Sequence, residues 1–234
     1  VTGASKGIGA AIAKALAANG VKVLCFARGR EALKAVVDEI NDAGGVAIGH
    51  VGDTMLYADV AAASTKLEEA FGALDIAFLN AGGNAYPGSI LNSDIDKWNT
   101  AIELNLNSVY YGIRAFAPLM QRSGGGRIIL TGSAMAHLPQ AGHSSYCVSK
   151  AGARVVARTA ALELAEFNIS VNELIPGPTV TEQARRAIAE GEASPFSNPA
   201  EWAKEPEDVV PLALMVAAYP GKGPTGQIFS LARR

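Results

Sequence analysis

The stretch VTGASKGIGAAIAKAL (residues 1–16) decides how the rest of the chain is read. Gly3, Gly7 and Gly9 stand in the spacing G-x-x-x-G-x-G, and an apolar-periodic segment follows at once. Glycine has no Cβ, so a turn built from it lets backbone N–H groups approach an anion such as a pyrophosphate. A helix starting near Ile8 then directs the positive end of its dipole at the same anion. Taken alone, the spacing also fits an ordinary strand–helix turn. Only Val1 and Thr2 precede Gly3, where a complete strand normally leads into such a loop.

Downstream, strand-like and helix-like segments alternate. IGAAIAKALAANG reads as a helix ending at Gly20, VKVLCFA as a strand, REALKAVVDEINDAGG as an amphipathic helix, VAIGHV as a strand and ADVAAASTKLEEAFG as a helix. LDIAFLN and GRIILTG are strands flanking a long helix, WNTAIELNLNSVYYGIRAFAPLMQ. A second long helix, SYCVSKAGARVVARTAALELAEF, precedes the strand NISVNELIP. The strands are continuous apolar runs, the pattern of strands covered on both faces. The expectation is an α/β fold, a Rossmann-type doubly wound parallel sheet with helices on both faces, in a single domain over 1–234. The polar stretch at about 179–204, with Gly191, Pro195 and Pro199, reads as an excursion from the core and a candidate lid.

Composition narrows the class. Hydrophobic residues make up 49% of the 234 positions, which argues for a large buried core and against disorder. The formal net charge is −2 and no basic block stands out, so no nucleic-acid partner is expected. The apolar run VVPLALMVAAY is too short to span a bilayer and contains a proline, so no membrane partner is expected either. Cys25 and Cys147 form no C-x-x-C and read as reduced, buried thiols of a cytoplasmic protein. No His, Cys or carboxylate cluster has metal-ligand spacing, so no metal is expected.

Several further motifs stand in order along the chain: Asn80-Ala81-Gly82, Asn105, Ser133, Tyr146 with Lys150, and Pro176-Gly177 followed by Thr181. Together with TGASKGIG they resemble the classical short-chain dehydrogenase/reductase family, from residue 1 to about 230. The resemblance implies a nicotinamide cofactor held by Gly3, Ser5, Lys6, Gly7, Ile8 and Gly9, by Asn80, Ala81 and Gly82, and by Pro176, Gly177, Thr179 and Thr181. It also implies that the strand before the loop is central to the sheet, hence that residues precede Val1. Asp53 matches the aspartate that bonds the adenine amino group, and the apolar residue usual after it is Thr54 here. The reading of Asp53 as a turn residue stays open. The chain ends TGQIFSLARR and departs from the family's Asp-Gly-Gly run, which leaves the C-terminal subunit contact in doubt.

The choice of nicotinamide is carried by Ala27-Arg28. An NAD-preferring site places an acid at the end of that strand for the ribose 2′-OH. This chain has Ala27 there and Arg28 next, and a guanidinium suits a 2′-phosphate by charge and geometry. Lys6 adds a second cation, so NADP(H) is expected over NAD(H).

Tyr146 and Lys150 are one helical turn apart and share a face. A nearby ammonium favours phenolate and lowers a phenol's pKa from its usual value of about 10. Tyr146 is then the general acid/base and Ser133 the group that holds the substrate oxygen. The resemblance adds Lys150 bonding the nicotinamide ribose, with Tyr146 beside it, and Asn105 in a water-linked relay to the lysine; Asn107 is a nearby competitor. Ser144 and Ser145 read as helix N-cap candidates. His137 and His143 lie between Ser133 and Tyr146 and read either as solvated loop residues or as substrate contacts. Small residues on the Tyr146 helix (Ser149, Ala151, Gly152, Ala153, Ala157, Ala160 and Ala161) suit close packing within the subunit or between subunits; the family commonly forms a homodimer or homotetramer through it.

The expected function is an NADP(H)-dependent oxidoreductase acting on a small-molecule carbonyl or alcohol. Two alternatives stand beside it: a 3-oxoacyl-carrier-protein-type reductase and a catalytically silent nucleotide-binding sensor or scaffold.

Overall fold

The computed structural model describes residues 1–83, 86–189, 202–220 and 222–232. After Val1 and Thr2 the order begins α1 (Gly7–Ala18), β1 (Lys22–Ala27), α2 (Arg30–Asp42), β2 (Val46–Val51), α3 (Tyr57–Phe71) and β3 (Ile76–Leu79). It continues with α4 (Ile95–Ile102), a π-helical turn (Glu103–Asn107), α5 (Ser108–Arg122), β4 (Gly126–Thr131) and α6 (Ser144–Glu163). The last elements are β5 (Ile169–Ile175), α7 (Glu182–Ala189), α8 (Val210–Ala217) and β6 (Ile228–Ser230). The helix read as unbroken from Trp98 onward therefore contains a π-helical turn, at Asn105. Residues 190–201 of the candidate lid lie outside the described residues; Thr179 and Lys204, near its two ends, pair in a β-bridge.

All the strand pairings are parallel: β1 with β2, and β3, β4, β5, β6 in that order. Val1 and Thr2 join the two groups. Phe26 donates its N–H to the Val1 carbonyl (3.0 Å), and Thr2 donates to the Phe78 carbonyl (2.9 Å).

Side-chain alternation along β1 creates two cores. Leu24 and Phe26 pack with α3, α5 and α6 residues such as Val60, Phe116 and Ala157. Val23, Cys25 and Ala27 pack with α1, α2 and α8 residues such as Ile12, Leu33 and Val216. Helices thus cover both faces, which is the doubly wound arrangement. β2 departs from the expectation of full burial: Val46 and Val51 at its ends are exposed, because it is an edge strand. Among the described residues no helix is long and apolar enough to cross a membrane.

Candidate active site

The glycine loop is anchored by the turn after β3. Thr2 Oγ1 accepts the backbone N–H groups of both Asn80 and Ala81 (2.9 Å each). Asn80 Nδ2 donates to the Thr2 carbonyl (3.2 Å), and its Oδ1 accepts from Thr131 Oγ1 at the end of β4 (3.0 Å). A Cβ at Gly9 would overlap the Gly3 carbonyl and the Asn80 amide, so only glycine lets α1 start this close to the loop. Lys6 holds the N-cap position of α1 without a side-chain cap. An uncapped helix start with a loop pressed against it is a fitting cradle for a dinucleotide pyrophosphate.

Two exposed ion pairs frame that cradle. Lys6 Nζ meets Glu182 at 3.1 Å, and Arg28 Nη1 meets Asp53 at 3.7 Å. Both cations selected for a 2′-phosphate are therefore paired with carboxylates. Asp53 has the turn role that was left open: its Oδ1 accepts the Met55 N–H (3.0 Å), and its own N–H bonds the Asp59 carboxylate. Thr54 beside it is buried. After β5, Thr181 lies against Gly7 and its Oγ1 accepts the Ala184 N–H at the start of α7 (3.2 Å). Thr179 is buried, and Gly177 faces Lys204 and Ala232.

Across from the loop, four side chains converge. Asn105 is fully buried in the π-helical turn. Its Oδ1 accepts the Gly83 N–H (3.0 Å), and its Nδ2 donates to the carbonyls of Gly83 and Ala101 (3.1 Å each). These bonds hold the loop after Gly82 in place. Asn105 Oδ1 and Lys150 Nζ both lie against Gly82. Lys150 is 4% exposed; its Nζ donates to the Thr131 carbonyl (2.8 Å) and sits 5.9 Å from the Tyr146 ring centroid. Tyr146 and Ser133 are joined by a hydrogen bond between side chains. Ser133 Oγ also accepts the Met135 N–H (3.2 Å), which orients its hydroxyl at the start of a short 3₁₀ turn.

Burial controls the titration of this group. It draws Lys150 down to about 8, with Glu173 opposing. It raises the Tyr146 phenol, the Ser133 bond opposing and Cys147 adding. Burial, the largest effect on the Tyr146 phenol, acts opposite to the lowering expected from a neighbouring ammonium.

Three smaller readings change. The N-cap of α6 is His143, without a side-chain bond, so neither Ser144 nor Ser145 caps the helix. The helix begins at Ser144, one residue earlier than a Ser144 cap requires and two earlier than a Ser145 cap requires, and Ser144 Oγ accepts from the Trp98 indole (3.3 Å). His137 is no free loop residue: its Nδ1 lies 3.0 Å from Arg154 Nη1. Of the small residues on α6, Ser149, Ala153, Ala157, Ala160 and Ala161 are buried within the subunit, while Val148, Val155 and Leu162 are exposed. Sequence reasoning missed Glu173 and Arg154. The visible signal was an acid inside the apolar run NISVNELIP.

With this geometry in hand, the comparisons agree. The family model for short chain dehydrogenases matches residues 1–191. The chain belongs to the short-chain dehydrogenase family of oxidoreductases. It is 37% identical to the 2,5-dichloro-2,5-cyclohexadiene-1,4-diol dehydrogenase LinX of Sphingobium indicum over 180 residues, 76% of this chain and 70% of that one. A solved short-chain type dehydrogenase/reductase from Mycobacterium marinum superposes with TM-score 0.89 at 31% identity, covering 99% of this chain and 92% of that one. A 7α-hydroxysteroid dehydrogenase solved with NADH and 7-oxo glycochenodeoxycholic acid gives TM-score 0.87 at 29% identity, covering 99% and 91%.

Proposed function

We propose that this protein is an NADP(H)-dependent oxidoreductase that interconverts a carbonyl compound and its alcohol, with Tyr146 as general acid/base. The observation that carries the reading is that Lys150, with Tyr146 and Ser133 beside it, lies against Gly82 in the same turn that anchors the glycine loop. Gly3, Ser5, Lys6, Gly7, Ile8 and Gly9 would hold the pyrophosphate. Asp53 and Thr54 would flank the adenine, and Asn80, Ala81, Gly82, Pro176, Gly177, Thr179 and Thr181 would bound the nicotinamide half. When bound, the nicotinamide supplies or accepts a hydride at the substrate carbon.

The chain's own residues handle the proton. Below about pH 8 Lys150 carries its charge, while the buried Tyr146 phenol keeps its proton at neutral pH. In carbonyl reduction Tyr146 gives that proton to the substrate oxygen, and the Lys150 cation stabilises the phenolate left behind. Ser133 donates to the oxygen as charge develops on it. Asn105 holds the loop that carries Gly82 against Lys150.

The 2′-phosphate preference rests on Arg28 following Ala27 at the end of β1, with Lys6 near by. The related steroid dehydrogenase was solved with NADH, so the family as a whole does not dictate the choice. That relative's ligand and LinX's name both indicate ring-borne oxygens, which puts cyclic ketones and alcohols first as substrates. The exposed Val148, Val155 and Leu162, seven residues apart on α6, support a homodimer or homotetramer. The two free, buried cysteines support a reducing, cytoplasmic setting.

The test is consumption of NADPH and NADH against cyclic ketones, diketones, quinones and 3-oxoacyl thioesters. Turnover of a ring ketone with NADPH ahead of NADH is expected. Preference for acyl thioesters would favour the carrier-protein reductase, and NADPH binding without turnover would favour the silent sensor.

A further inference from the structure

The apolar strand β5 carries one acid, Glu173, which is 3% exposed. Neither of its carboxylate oxygens has a hydrogen-bond partner. Room for the carboxyl exists because residue 132 is glycine; a Cβ there would overlap Glu173 Oε1. Gly132 is the link between Thr131, whose carbonyl accepts from Lys150, and Ser133, whose side chain bonds Tyr146. The carboxyl therefore lies behind the three residues that both proton-handling groups lean on.

The charges around it come from one helix. Burial raises the Glu173 carboxyl above the usual carboxylate range, while Arg154 and Lys150, both on α6, oppose that shift and favour its anion. Arg158, also on α6, shares with it a pocket of about 10 Å³, roughly the size of one water. Gly226, Gln227 and Ile228, at the start of β6, line that pocket and bring no titratable group. On the β4 side, the Ser133 amide favours the anion without completing a hydrogen bond. Beyond Arg154, whose Nε is buried without a hydrogen-bond partner, lies His137 in the loop after Ser133.

An acid held in this way is costly unless its charge is used. We propose that Glu173 is a positioning residue whose carboxylate supplies the counter-charge of the Lys150 ammonium from behind the 131–133 segment. The inference deepens the reading of Tyr146 and Lys150 as the proton-handling pair and rests on it. Of the effects acting on Lys150, burial favours loss of its proton and the Glu173 charge opposes that loss.

The experiment is Glu173→Gln in the full chain, with Glu173→Asp as the charge-conserving control. Competitive acetylation across pH, read by mass spectrometry of the Lys150 peptide, gives that lysine's midpoint without turnover. The pH profile of kcat for ketone reduction gives the alkaline limb of the Tyr146–Lys150 pair. In Glu173→Gln both are expected to move down by roughly half to one pH unit, and in Glu173→Asp to stay near the parent. A midpoint unmoved in Glu173→Gln overturns the proposal. Should that variant not fold, Glu173→Thr removes the same charge in less volume and is read in the same way. A shifted midpoint in a chain that reduces nothing would sink the oxidoreductase reading and leave the counter-charge standing. An active enzyme with an unmoved midpoint would do the reverse.

Discussion

The two sides of the candidate site are built by opposite means. The side bearing Asn105, Ser133, Tyr146 and Lys150 is held by partly buried hydrogen bonds linking the ends of β3 and β4 to Asn105 and α6. The rim bearing Lys6, Arg28, Asp53 and Glu182 is held by exposed ion pairs. A buried polar contact is expensive to break because its partner is left without water, whereas an exposed pair is screened and contributes little. The proposed chemistry is thus placed where the fold is stiff, and the proposed cofactor choice where it is easily altered.

The sharpest way to break this contrast is at the chemistry. Tyr146→Phe is expected to lower kcat by about 10²–10⁴-fold while NADPH affinity stays near the parent. Unchanged turnover would take Tyr146 out of the reaction. Next in size is Gly132→Ala, whose Cβ must displace Glu173 in the core; a loss of about 3 kcal/mol in urea denaturation is expected. Adding Glu173→Ala should restore a good part of it, and a single variant as stable as the parent would show that β5 yields freely. Asn105→Ala strips Gly83 of both its side-chain partners and should cost about 2 kcal/mol with a fall in kcat. Stability within about 0.5 kcal/mol of the parent would mean that water replaces the amide.

On the rim the effects should shrink. Arg28→Asp is expected to lower the NADPH-to-NADH ratio of kcat/KM by roughly tenfold or more, with the melting temperature unmoved. An unaltered ratio would remove Arg28 from cofactor choice. Glu182→Gln frees Lys6 and should tighten NADPH binding by less than about threefold. A larger gain would show that the Lys6–Glu182 pair restrains the loop more than an exposed ion pair should.

The legibility of the molecule divides along similar lines. The glycine loop and the strand–helix alternation could be read because their signals are local: a spacing, a period, a run of apolar residues. Tyr146 and Lys150 could be paired because one helical turn separates them. The bonding of Asn105 could not, since its partner Gly83 is 22 positions away. Nor could the pairing of Lys6 with Glu182, across 176 positions. The Ser144 and Ser145 caps failed over an offset of one and two residues in the helix start.

What this sequence determined by itself is the family, the layered α/β architecture and the identity of the groups that converge, because periodicity and short-range spacing act before any long-range contact forms. Only the tertiary structure decided their state. Burial, not the neighbouring ammonium, governs the Tyr146 phenol. Glu173 stands behind Gly132, and Asn105 serves a loop. Desolvation and side-chain pairing depend on which distant segments share a volume, and that is known only once the chain has closed on itself.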